Sequence, residues 1–134
     1  MNKALELEKN CFASGEENPI GLKMKFAWEG EAYVSRVTLR KEYESFEGAA
    51  HGGMIGLLLD EVMARSFTDR EIYAVTGKME INYKLPTPVE EELTIKAWWE
   101  KQDGRKYTVR GAIYLPDGQI CADATALMIR KREE

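Results

Sequence analysis

The chain has 134 residues, 44% hydrophobic and 31% charged, with 19 basic residues against 23 acidic ones and a formal net charge of −4. That length fits one domain with material for a real core, and the composition excludes a disordered chain. The acidic balance and the spread of basic residues argue against a nucleic-acid binder, and no run approaches the roughly 18 apolar residues that span a membrane.

Two cysteines, Cys11 and Cys121, are too few for a disulfide framework and suit a reducing compartment. The first ten residues, MNKALELEKN, are charged throughout, unlike a signal peptide, so the expected location is the cytoplasm. Leu5, flanked by Ala4 and Leu7, is compatible with a short helix over residues 1–8, and residues 9–21 are rich in turn formers and read as a loop. Leu22, Met24 and Phe26 alternate with lysines, and Tyr33 to Leu39 alternates again. The two runs predict a hairpin turning at Glu29-Gly30-Glu31. Residues 41–50 connect to a helix over 52–67, and a strand over 71–85 follows, closed by Pro86-Thr87-Pro88. The rest reads as a meander: Leu93 to Trp99, a turn at Asp103-Gly104, Tyr107 to Ile113, a turn at Pro116-Asp117-Gly118, a last strand over 119–130, and a solvated tail over 131–134.

Two strands, one long helix and further strands joined by short links make one α+β domain over residues 1–134, with the late strands antiparallel. The helix is apolar around most of its circumference. A curved sheet wrapped around it is expected, with its remaining face against a second copy of the chain.

Within that helix Glu61 and Arg65 are spaced for a surface ion pair and mark an expected wet edge. Asp60 has no such partner: its helical neighbours are Gly56, Leu57, Met63 and Ala64. A buried, unpaired carboxylate is costly. Asp60 is therefore either solvated at the edge or a working carboxylate in a wet cleft, as general base or nucleophile. His51-Gly52-Gly53 directly precedes it. The first amides of a helix lack internal partners and sit at its positive end, where they can hold a polarised carbonyl. The glycines leave room for a ligand there or simply for a tight turn. His51, the one histidine in the chain, reads as a shaper of that turn rather than as the base. Gly52 and Asp60 lie eight residues apart, roughly 12 Å along a helix. They cannot serve one carbonyl from one subunit. If both act, two antiparallel helices of a two-fold dimer must bring them together.

HGGMIGLLLDEVMA, followed by YAVTGKMEINYKLPTP and preceded by NCFASGEENPIGLKMKF, closely resembles the hotdog-fold thioesterases of the phenylacetate-pathway (PaaI-like) type over residues 10–130. The resemblance implies a hotdog fold and hydrolysis of an acyl-coenzyme A thioester to free acid and coenzyme A, with no metal or redox cofactor. It implies that Asp60 activates water or attacks the thioester carbon, that the Gly52 amide polarises the carbonyl, that His51 supports the loop, and that Thr76 orients Asp60 or the water. Gly53, Ser45, Asn18, Met54 and Leu57 are implied at the substrate, with Leu58 also along the acyl chain. Some relatives carry asparagine where this chain has Ser45, and a second N-terminal cysteine where it has Ser14, so a metal clip at Cys11 is not expected. Lys78, Lys84, Arg105, Lys106 and Arg110 are candidates for the coenzyme A phosphates. A homodimer is expected, with pairing of dimers into a tetramer left open and Trp98 a candidate for that contact. A non-catalytic acyl-coenzyme A-binding dimer and a hydroxyacyl dehydratase are the rival readings.

Overall fold

The computed structural model describes residues 8–132. Its central element is helix α1, Gly52–Thr68, one residue longer at its end than the sequence predicts. Six strands surround it: β1 (Ala27–Glu29), β2 (Ala32–Thr38), β3 (Ala74–Tyr83), β4 (Glu92–Asp103), β5 (Lys106–Tyr114) and β6 (Ile120–Arg130). They form one antiparallel sheet in the order β1-β2-β4-β5-β6-β3. The long helix against a curved antiparallel sheet is the hotdog architecture that the resemblance implies.

Packing explains the arrangement. Leu58, Leu59, Val62, Met63 and Phe67 are fully buried against the sheet, each large apolar side chain stabilising the fold by about 1.5–3 kcal/mol. The sheet accommodates the helix with small residues: Ala122, Ala124 and Ala126 face inward on β6. On β5, a Cβ at Gly111 would stand 3.2 Å from the Met63 side chain and 3.4 Å from Leu59 Cδ2. At the far end of α1, Phe67 stacks on Trp99 with centroids 4.4 Å apart, and the Trp99 indole donates to Ser66 Oγ at 2.9 Å.

The sequence misplaces three details. Residues 22–26 keep their period of two, with Met24 buried and both lysines exposed, but the hairpin strand is Ala27–Glu29. Lys23 has φ +53, and the amides of Leu22 and Met24 donate to Phe12 O and Ala13 O instead of to a strand. β3 starts at Ala74 because residues 69–72 turn first, with Glu71 at φ +60. The expected wet edge of the helix is covered: residues 8–26 lie over it, and Glu61 and Arg65 are linked through Ser14, not directly. The short helix expected over residues 1–8 falls almost wholly outside the described residues, as do the last two residues of the tail.

Two consequences position the site. After α1 the chain enters the sheet at its far side, so β3 is an edge strand ten residues long. One stripe of α1 also stays partly uncovered: Gly53, Gly56, Leu57, Asp60 and Ala64 lie at helical spacing. Asp60 is the one charge among them.

Candidate active site

His51 caps α1. Its Nδ1 accepts a hydrogen bond from the Gly53 amide at 2.8 Å. An accepting Nδ1 carries no hydrogen, so the ring N–H lies on Nε2. The two glycines thereby take different roles. The Gly53 amide is occupied by His51. The Gly52 amide has no acceptor among the described residues, as befits the first N–H of a helix. A Cβ at Gly53 would lie 3.1 Å from His51 Nδ1, tighter than ordinary contact, whereas one at Gly52 would lie 3.7 Å from Tyr83 Cε1, an ordinary distance. Packing within the chain thus explains Gly53 and leaves Gly52 unexplained.

Gly52 lies in the wall of an open cleft of about 660 Å³. Ser45, Phe46, Ala50, Ile55, Leu85 and Pro86 supply much of the rest. Phe46 is 82% exposed and Leu85 40%, so the cleft offers bare apolar surface beside an unsatisfied amide. Tyr83 stands across from Gly52, and its hydroxyl donates to the Gly52 carbonyl at 3.3 Å. Lys84, at the same rim, pairs with Asp123 at 2.8 Å. The Lys84 ammonium and the Asn82 amide hold the Asp123 carboxyl below its ordinary range.

Asp60 lies two turns further along the helix, half-buried. Its partner comes from β3: Thr76 Oγ1 donates to Asp60 Oδ1 at 2.9 Å and lies 3.4 Å from Met128 Sδ. The register of β3 against β6 shifts between Thr76 and Lys78, a bulge of the kind that re-aims side chains. Gly77 sits inside it, where a Cβ would approach Ile129 Cδ1 to 2.9 Å. With Oδ1 engaged, Oδ2 remains for a proton.

Behind Asp60 the helix is tied to the N-terminal segment. Ser14 Oγ donates to Glu61 Oε2 at 2.5 Å and accepts from Arg65 Nη1 at 2.7 Å. Arg65 also pairs with Glu8 at 3.4 Å. Burial first, then the nearby Glu61 charge, raise the Glu8 carboxyl above its ordinary range, against the opposing pull of Arg65 and Thr68. Cys11 Sγ lies 3.8 Å from Glu61 Oε2.

The structure therefore brings Thr76 to Asp60, and His51, Gly52, Gly53 and Ser45 to the helix entry. Asn18 does not line the cleft. Its Oδ1 accepts from the Ile20 amide and its Nδ2 donates to Asn10 O, closing the N-terminal turn. Leu58 is fully buried, so of the apolar helix residues expected along an acyl chain only Met54 and Leu57 are partly open. Sequence reasoning assigned no task to Tyr83, Phe46 or Ser14. For Phe46 a signal existed: a large apolar residue in an otherwise polar connection. Among the described residues no helix is long and apolar enough to cross a membrane, and no group of three or more potential metal ligands stands together.

Comparison with known proteins bears on the family and the fold. The family model of the thioesterase superfamily matches residues 47–122, from the loop before the helix into β6. A solved thioesterase superfamily protein is 30% identical, with a TM-score of 0.83 over 90% of this chain. This chain spans 60% of that protein's length. A hypothetical thioesterase protein from Streptococcus pneumoniae TIGR4, solved with coenzyme A, is 20% identical with a TM-score of 0.75 over 83% of this chain and 90% of its own. A phenylacetic acid degradation-related protein from Ralstonia eutropha JMP134 is 22% identical with a TM-score of 0.72, over 81% and 85%.

Proposed function

The chain belongs to the thioesterase superfamily, and on that premise we propose that it hydrolyses an acyl-coenzyme A thioester in a site shared between two copies. The observation that carries the proposal is the Thr76–Asp60 hydrogen bond. It fixes one carboxylate oxygen on an uncovered apolar stripe and leaves the other free to take a proton.

The acyl carbonyl rests on the Gly52 amide, at the positive end of α1. Asp60 accepts a proton from water as the water oxygen attacks the carbonyl carbon. The tetrahedral intermediate collapses, the carbon–sulfur bond breaks, and the proton passes to the departing thiolate. The products are the free acid and coenzyme A, and no metal or redox cofactor enters. Because both groups belong to one continuous helix, eight residues or roughly 12 Å apart, the Gly52 amide comes from one protomer and Asp60 from the other. Two features support the pairing: the uncovered stripe of α1 and the long open edge of β3 beside it. The coenzyme A bound to the Streptococcus pneumoniae protein supports the substrate class.

Thiol release from a panel of acyl-coenzyme A esters tests this reading. Asp60→Asn should lower turnover about 10²-fold or more while coenzyme A still binds. Equal turnover in mutant and wild type would remove Asp60 from the chemistry. Binding without turnover on every ester would favour a non-catalytic acyl-coenzyme A-binding dimer.

A further inference from the structure

We propose that Tyr83 is a positioning residue of the site: its hydroxyl pins the peptide between Gly52 and Gly53 and so sets the direction of the open Gly52 amide. The inference rests on the acyl-coenzyme A reading and gives a task to a side chain outside the Asp60–Thr76 pair.

Two glycines in succession leave their peptide planes free to rotate, because glycine accepts most backbone angles. Groups outside them must therefore fix the Gly52 N–H. The His51–Gly52 peptide is held through its carbonyl, which accepts from the Met54 amide at 2.9 Å and the Ile55 amide at 3.2 Å. One peptide earlier, the His51 amide donates to Tyr43 O at 2.8 Å. The Gly52–Gly53 peptide is held at both ends: its N–H donates to His51 Nδ1 at 2.8 Å, and its carbonyl accepts from the Tyr83 hydroxyl at 3.3 Å. A carbonyl oxygen has two lone pairs, so the phenol adds to the helical bond from the Gly56 amide without displacing it. From the His51 amide to the Gly53 amide, the Gly52 N–H is the one backbone group without a partner among the described residues. The His51 contacts are local to the helix start. Tyr83 comes from the sheet and ties the same peptide to the fold.

A match of spacings brings the phenol there. Gly52 and Gly56 are four residues apart on α1, roughly 6 Å. Tyr83 and Ile81 are two residues apart on β3, roughly 7 Å, and pair with the buried Ala122 and Ala124 of β6. A Cβ at Gly52 would stand 3.7 Å from Tyr83 Cε1, and one at Gly56 3.4 Å from Ile81 Cδ1. The two glycines thus let the edge strand lie close along the helix. Tyr83 is 58% exposed, so burial explains little of a tyrosine at this position. The bond of its hydroxyl is what separates it from phenylalanine.

Direction matters because an amide that stabilises a tetrahedral intermediate must meet the oxyanion at about 2.7–3.1 Å. A donor already held in place needs no rearrangement as the charge develops. Without the hydroxyl, the Gly52–Gly53 plane loses its tie to β3 while the helix start stays folded, and the neighbouring amide samples more directions. The transition state then loses more than the bound ester does, so kcat falls and KM does not rise.

Tyr83→Phe in the full chain tests the assignment. Tyr73, 55% exposed just before β3, supplies the control Tyr73→Phe. Tyr83→Phe should melt like wild type and release thiol from acyl-coenzyme A esters with kcat about fivefold lower and KM within about twofold. With isotope labelling of glycine, the Gly53 amide, identified by its loss in Gly53→Ala, should exchange with solvent at least about threefold faster in magnetic resonance spectra. The control should match wild type in every measurement. Unchanged Gly53 exchange in Tyr83→Phe overturns the proposal. So does wild-type kcat, or a raised KM at unchanged kcat, which would put the hydroxyl on the bound ester. A melting temperature several degrees lower, or an equal change in the control, overturns it as well. Wild type that turns over no ester loses the hydrolase reading, and the exchange rate still decides whether Tyr83 holds this peptide.

Discussion

Replacing Gly52 by alanine should separate stability from activity. A methyl at Gly52 would sit 3.7 Å from the nearest Tyr83 ring atom, an ordinary contact, and the residue lies in the first turn of α1 with helical backbone. Alanine loses less chain entropy than glycine on entering a helix. Taking about 0.5 kcal/mol for a terminal position, and roughly 4 °C per kcal/mol for a domain of this size, the melting temperature should rise about 2 °C. The same methyl projects into the cleft beside the open amide. A thioester carbonyl held off that donor forfeits a bond whose removal from an oxyanion site typically costs about 10²–10³-fold in kcat. Gly53→Ala is the contrast. Its methyl would stand 3.1 Å from His51 Nδ1, displacing the ring and weakening a helix cap of about 1 kcal/mol; less the same gain of about 0.5 kcal/mol, it should melt about 2 °C lower. Thermal melting, size-exclusion chromatography and thiol release on the three proteins provide the test. A Gly52→Ala variant with wild-type turnover, or one that melts several degrees lower, would refute the argument that this glycine serves the ligand rather than the fold.

Thr76→Ala removes the donor to Asp60 Oδ1 and should lower kcat about tenfold with little change in KM; Thr76→Ser should recover most of it, and failure of serine to rescue would argue against the hydrogen bond. Ser14 is 6% exposed and joins Glu61 to Arg65, so Ser14→Ala should cost about 1–2 kcal/mol, seen as a melting temperature several degrees lower; an unchanged melt would show that the two charges re-pair without it. The Glu8 carboxyl is raised above its ordinary value of 4.5, chiefly by burial. The folded state then holds that proton more tightly than the unfolded chain, so this group favours folding increasingly as pH falls from neutral through its raised value, and the gain is complete below 4.5. Glu8→Gln should therefore melt higher than wild type at pH 7 and no higher at pH 4, and a variant that melts lower at pH 7 would give the Arg65 contact the larger weight.

The sequence by itself determines the parts whose cause is local. The apolar circumference of residues 52–67 demands a helix buried on most sides, and His51-Gly52-Gly53 marks its start because capping depends on neighbours in the chain. Pro116-Asp117-Gly118 falls in the turn between β5 and β6, and the β4–β5 turn comes at Gly104-Arg105, one residue after the predicted Asp103-Gly104. The eight-residue spacing of Gly52 and Asp60 is likewise legible, since one helix fixes it. Tertiary structure decides what depends on strand order and on segments distant in sequence. Leu22 to Phe26 has a strand's period yet pairs with residues 12–13, because alternation specifies which side chains are buried and not which backbone is the partner. Glu61 and Arg65 have the spacing of an exposed ion pair, but the fold lays Ser14 between them. The placement of β3 beside β6 brings Thr76 near Met128 and, over the helix, within hydrogen-bond distance of Asp60. The fold likewise brings Glu8 within 3.4 Å of Arg65, distant from it along the chain. Electrostatic fields depend on separation in space, and only the folded sheet sets that separation.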